Sequence, residues 1–190
     1  IVAALKLTLL PEEKRALEQR ATTNVTAYKF YLMARPFSVP GNERHQELII
    51  RLCNRAVELD HSYAAPWATM AIAQCYMHER SARPDDGLDS ANQALKLDPK
   101  LPDAHAAVGA AHLSQGRFEI GLQACEAALR LDPESYEGNR VAGRCCLALS
   151  RFDDAIRYFE TAAAVVDTDF AAASFVPQCY EAKGDVEGSH

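Results

Sequence analysis

The sequence predicts an all-α fold, an α-solenoid of antiparallel helix hairpins stacked in chain order, and three observations predict it. The triplets Gly116-Arg117-Phe118, Ser150-Arg151-Phe152 and Gly184-Asp185-Val186 begin at 116, 150 and 184, so one small-polar-apolar turn recurs every 34 residues. Other positions keep that phase: Val108, Ala142 and Val176; His112, Cys146 and Tyr180; Cys125 and Phe159; Ala128 and Ala162. Leu-Asp-Pro closes two units, at Leu97-Asp98-Pro99 and Leu131-Asp132-Pro133. A unit of this length holds one helix-turn-helix, which cannot bury its apolar face alone and so stacks on its neighbours.

Within residues 102–135, Val108, Gly109 and His112 share a face of a first helix, and Gly121, Cys125 and Ala128 share a face of a second. The small groups at Gly109, Gly121 and Ala128 let the two helices approach closely, and larger side chains fill the space between hairpins. Proline cannot continue a helix interior but suits the first turn of the next, so Pro99 and Pro133 mark turns between hairpins. Pro177 stands where Gly109 and Gly143 stand, and the last helix is expected to kink or begin late. Upstream, Ile1–Leu9 reads as the tail of a helix, and Pro11-Glu12-Glu13 starts another that ends near Gln19 or Arg20. Asn24-Val25-Thr26 fits a glycosylation sequon, but Thr23 or Asn24 reads better as the cap of the helix carrying Tyr28 and Tyr31. The expected division is a helical segment 1–22 continuing from an upstream domain and a repeat array 23–190, about four hairpins and a truncated last unit. Starting at Ile1 and stopping at His190 inside an expected second helix, the chain reads as a piece of a longer protein.

Composition narrows the function. With 48% apolar residues the chain can bury a continuous core, and no apolar run approaches the roughly 20 residues needed to cross a membrane. A net charge of -6 disfavours nucleic acid, whose phosphates require clustered Lys and Arg. Cys53, Cys75, Cys125, Cys145, Cys146 and Cys179 all fall inside expected helices and lack zinc-site spacing, so they read as reduced packing residues of a cytoplasmic protein. There is no phosphate loop, no nucleophile elbow and no H-E-x-x-H, so no catalytic, cofactor-binding or metal residue is expected. His105 and His112 read as packed, hydrogen-bonded histidines, not a metal pair. Asp85-Asp86 and Asp153-Asp154 read as acids facing the free amides of second helices.

These residues resemble the tetratricopeptide repeat. Unit 102–135 supplies His105, Val108, Gly109, His112, Gly121, Cys125, Ala128 and Pro133 at the motif places. Unit 136–169 supplies Asn139, Ala142, Gly143, Cys146, Ala155, Phe159 and Ala162. An earlier unit begins near Ala64 with Trp67, Met70 and Ala71 and ends with Ala94 and Pro99; its four extra residues fit the turn around Glu79 to Asp86. A degenerate first unit runs from about Thr26 to Tyr63. The resemblance implies a right-handed superhelix whose first helices line a groove, and it places Ile72, Tyr76, Ala106, Ala110, Leu113, Arg140, Arg144, Leu147 and Gln178 there as partner-binding residues. Asp103 and Glu137 fall on the same face by the same carry-over. Arg140 and Arg144, four apart, share one helical face. Either they hold a carboxylate of a protein or peptide partner, or they pair with Glu137, Glu181 or Asp103 across neighbouring helices or are simply solvated. Ala106 and Ala110 stand where the family's carboxylate clamp has Lys and Asn, a departure from that motif. The run from Ile1 to Arg35 is similar to the junction preceding such arrays in bacterial class III adenylate or guanylate cyclases and in winged-helix regulators. The resemblance implies a non-catalytic interaction region of a larger signalling protein, with self-association as a second mode of use.

Overall fold

The turns that recur every 34 residues each hold a left-handed residue. Gly116 and Ser150 have φ of 74° and 58°, and Gly184 has 79° at the same phase. Across the first two turns the amide of Arg117 donates to the His112 carbonyl at 2.8 Å, and that of Arg151 to Cys146 at 2.8 Å, the six-residue loop of a left-handed C-cap. Glycine adopts this backbone freely; Ser150 does so at a cost in strain.

The computed structural model describes residues 22–37, 42–165 and 170–184. Among them are nine α-helices and no strand: α1 Val25–Ala34, α2 Glu43–Leu59, α3 Ala64–Ser81, α4 Leu88–Leu97, α5 Pro102–Ser114, α6 Phe118–Leu131, α7 Tyr136–Ala148, α8 Phe152–Val165 and α9 Phe170–Lys183. A short 3-10 turn, Arg35–Phe37, follows α1. Each helix packs on the next, and the first helices α3, α5 and α7 also pack side by side in a row. This is the α-solenoid that the period implied. The segments expected as helices in 1–20 and beyond 184 lie outside the described residues.

Turns between hairpins repeat one chemistry three times. The carboxylates of Asp60, Asp98 and Asp132 accept from the amide two residues on, at 3.0, 2.9 and 3.0 Å. Three different side chains at one phase then donate to the carbonyl six residues back: Trp67 to His61 at 3.3 Å, His105 to Pro99 at 2.8 Å and Asn139 to Pro133 at 2.9 Å. Asn24 caps α1, its side-chain oxygen accepting from Thr26 and Ala27 at 3.0 Å each.

Helices meet at small residues. Ala56, Ala94, Ala128 and Ala162, one per hairpin, are all 0% exposed. A Cβ placed on Gly109 would lie 2.4 Å from Cys125 Sγ and 2.9 Å from the Gly121 carbonyl oxygen, and one on Gly143 would lie 2.8 Å from the Phe159 ring. All six cysteines are buried and unpaired, and burial pushes the Cys53 thiol up to about 12 and the Cys146 thiol to about 11, far from the reactive thiolate.

Four expectations need correction. Of the two histidines read as hydrogen-bonded, His105 is, whereas the buried Nδ1 of His112 has no hydrogen-bond partner among the described residues. The extra residues of the second hairpin do not all enter its turn: α3 has 18 residues where α5 has 13, so the insertion lengthens the first helix as well as the turn. Asp86 then docks the turn back, accepting from the Leu88 amide at 3.0 Å, from the Cys75 thiol through its carbonyl at 3.1 Å and from the Gln115 carboxamide at 2.6 Å. Asp153 and Asp154 are taken up by side chains: Asp154 by Arg151 and Arg157, Asp153 by Lys183. Lastly, α9 runs unbroken through Pro177. The ring is exposed, and in the same turn the Gln178 side-chain amide donates to the Ser174 carbonyl at 3.2 Å.

Gly109→Val is expected to lower stability by about 2–3 kcal/mol, because the Cys125 seam cannot open without moving α6. Ser150→Gly is expected to raise it by about 0.5–1 kcal/mol through relief of the left-handed strain. Urea denaturation followed by circular dichroism checks both, and a stable Gly109→Val would contradict the close packing of this hairpin.

Candidate functional site

The row of first helices decides which side chains stay available. Where α3, α5 and α7 touch one another, only small residues fit: Ala68 and Ala106 are 0% exposed and Ala110 is 4% exposed. Ala106 and Ala110, expected on the groove surface, therefore belong to the seam between helices, and this corrects their assignment. Side chains one turn away line two depressions on the same face.

The first depression, a cavity of about 420 Å³, lies among α1, α2, α3, α5 and α7. Tyr31, Arg35, Gln46, Ile72, Asp103 and Glu137 are among its lining residues. Burial, then the neighbouring Glu137 charge, pushes the Asp103 carboxyl above its ordinary value, while Arg35 pulls the other way. Burial likewise raises the Tyr31 phenol. Gln46 is 3% exposed.

The second depression, also about 420 Å³, lies at the C-terminal ends of α3, α5 and α7 against α6 and α9, lined by Glu79, Leu113, Arg144, Leu147 and Phe175 among others. The structure thus brings Leu113, Arg144 and Leu147 together and puts Ile72 in the first cavity. Tyr76 is half-buried on α3, with the Arg80 guanidinium 5.7 Å from its ring centre. Gln178 lies exposed on α9 and lines neither depression.

The two arginines are engaged within the molecule. Arg140 donates through Nε at 2.9 Å and Nη2 at 2.6 Å to Glu137 Oε2, with side chains only 7% and 12% exposed. Burial opposes the Arg140 charge, but Glu137 and then Tyr136 outweigh it and hold the guanidinium more firmly protonated than usual. Arg144 donates to Glu79 at 2.8 Å, an acid at the end of the lengthened α3. Both arginines thus make intramolecular pairs, with Glu79 in place of Glu181 or Asp103 for Arg144. As a buried pair, Arg140 is a packing residue and not an open carboxylate receptor, which corrects its assignment.

Tyr31, Arg35 and Gln46 were absent from the expected groove because the degenerate first hairpin hides its phase. A signal for Gln46 exists nonetheless. Gln46, Ile49, Cys53 and Ala56 fall at helical spacing, and Gln46 occupies the place held by Phe118 and Phe152 in later hairpins.

The sequence model of the tetratricopeptide repeat family matches residues 78–135 and 109–174. No curated protein matches the chain. Among solved structures, a thermophilic protein of the same repeat family from Thermus thermophilus superposes with a TM-score of 0.62 at 15% identity, over 88% of this chain and 87% of that one. MamA from Desulfovibrio magneticus RS-1 gives 0.53 at 15% identity over 88% and 91%. The first such domain of human RPAP3 gives 0.53 at 17% identity over 65% and 98%. At these identities the likeness concerns the fold.

Removing one member of the buried pair strands a charge, so Arg140→Ala is expected to cost about 3 kcal/mol. Arg144→Ala, in the more open pair with Glu79, is expected to cost less than about 1 kcal/mol. Equal losses in chemical denaturation would show that burial does not separate the two pairs.

Proposed function

The chain belongs to the tetratricopeptide repeat family, and we propose that it is a non-catalytic module that binds a protein or peptide on the face formed by its first helices. One observation carries this reading. The seams between helices are filled by alanine, glycine and cysteine, yet the same helices leave two depressions of about 420 Å³ each, lined by half-buried apolar and polar side chains. A packed solenoid with no use for that face would have no reason to hold Ile72 and Leu147 half-buried in these depressions.

The proposed context is the regulatory region of a larger cytoplasmic signalling protein similar to an adenylate or guanylate cyclase, with residues 1–22 leading out of the upstream domain and 23–190 forming the array. The run from Ile1 to Arg35 supports it. Reading the gene upstream of Ile1 tests it: a nucleotide-cyclase domain supports the parentage, and a winged helix overturns it in favour of a transcriptional regulator.

The binding reading is tested by selecting peptides from a random display library against the 190-residue chain and measuring their affinity by calorimetry. Tyr76→Ala with Leu147→Arg is expected to weaken binding by at least about tenfold while the circular dichroism spectrum stays helical. Affinity unchanged in this double variant would move the site off this face.

A further inference from the structure

Besides the hydroxyls of Tyr31, Thr69 and Tyr136, the polar groups lining the first cavity are two carboxylates, Asp103 and Glu137, one carboxamide, Gln46, and one guanidinium, Arg35. Arg140 engages only Oε2 of Glu137, and Oε1 has no hydrogen-bond partner among the described residues. Asp103 has no ion pair among the described residues and feels Arg35 only at longer range. Gln46 is nine-tenths buried and more, and its carboxamide has no hydrogen-bond partner among the described residues although it lines the cavity. Its carboxamide therefore stays available to a group that enters the cavity. Ile72 and Tyr31 supply an apolar wall beside these groups.

We infer that this cavity receives a basic side chain of the partner polypeptide, its aliphatic stem along Ile72 and Tyr31 and its cationic end between the Asp103 carboxylate and the Gln46 carboxamide oxygen. The inference rests on reading this face as the interaction surface. An anionic group is disfavoured because it would enter beside two carboxylates, with the exposed Arg35 as the cation of the lining. A cation meets Asp103 and the open oxygen of Glu137, and relieves the repulsion between them. Arg35 is the resident competitor: its charge lowers the gain on binding a second cation. The overall charge of -6 favours the encounter.

The test is a nuclear magnetic resonance titration of the labelled 190-residue chain with four capped tripeptides, glycine flanking lysine, arginine, norleucine or glutamate. The lysine or arginine peptide is expected to shift the Gln46 side-chain amide and the Ile72 and Asp103 backbone signals saturably, and the norleucine peptide to bind at least about tenfold more weakly. Asp103→Asn is expected to weaken the cationic peptide by about tenfold, and Arg35→Ala to strengthen it a few-fold. Gln46→Leu serves as a second variant that leaves the charges in place and is expected to weaken the same peptide. Tighter binding of the glutamate peptide, weaker binding in Arg35→Ala, equal binding of norleucine, or no saturable shift at millimolar peptide overturns the inference. If display-selected peptides bind this face and Asp103→Asn leaves them unaffected, the interaction reading stands and the basic side chain falls; if none binds this face, the reading itself falls.

Discussion

Close approach at small side chains is the constraint on which the rest of the structure depends. Gly109 faces Gly121 and Cys125, and Gly121 in turn faces Cys145, so three consecutive helices meet where no larger group fits. Backbone spacing this short fixes how each hairpin closes and how far it sits from the next. The aspartate turns then hold the angle between hairpins, with Trp67, His105 and Asn139 each reaching back from the same phase to the carbonyl six residues earlier. Identity is free at that phase, provided one donor is present. An array can therefore vary its sequence widely and keep its geometry.

Much of this was legible because it is periodic. The 34-residue interval gave the hairpin, and the in-phase alanines gave the face each helix buries. What stayed hidden is what depends on contacts between units. Ala106 and Ala110 read as groove residues because the motif describes one hairpin, whereas their burial comes from the packing of α5 in the row of first helices. Glu79 could not be assigned to Arg144, since the pair joins residues 65 apart through an insertion that breaks the phase. Pro177 read as a break because proline disfavours a helix interior; the helix nevertheless continues through it, with the ring on an exposed face and the loss of one backbone amide.

The insertion also changes the chemistry of the binding face. By lengthening α3 it carries Glu79 beyond the ends reached by α5 and α7 in their own hairpins, to where it meets the Arg144 guanidinium. Glu137 does the same for Arg140 within one helix turn. A face that a motif comparison reads as cationic is thus internally balanced. The second depression keeps an apolar floor of Leu113, Leu147 and Phe175 with its charge already paired.

The first cavity carries a polar group at a phase where two later hairpins carry an aromatic ring. Where α6 and α8 begin with Phe118 and Phe152, α2 presents Gln46, a polar group at a phase that elsewhere fills space. An apolar residue there would bury favourable area and close part of the cavity, so the amide is a net loss to stability unless something compensates it. No described side chain does so, and the cavity wall also carries Asp103, an acid without an ion pair among the described residues, on a helix from a different hairpin. Two costly groups brought to one cavity by separate units make a packing accident a poor account of either, because each would be relieved independently by a single substitution. Their meeting at one cavity across units is what the proposed site for a cationic hydrogen-bond donor requires.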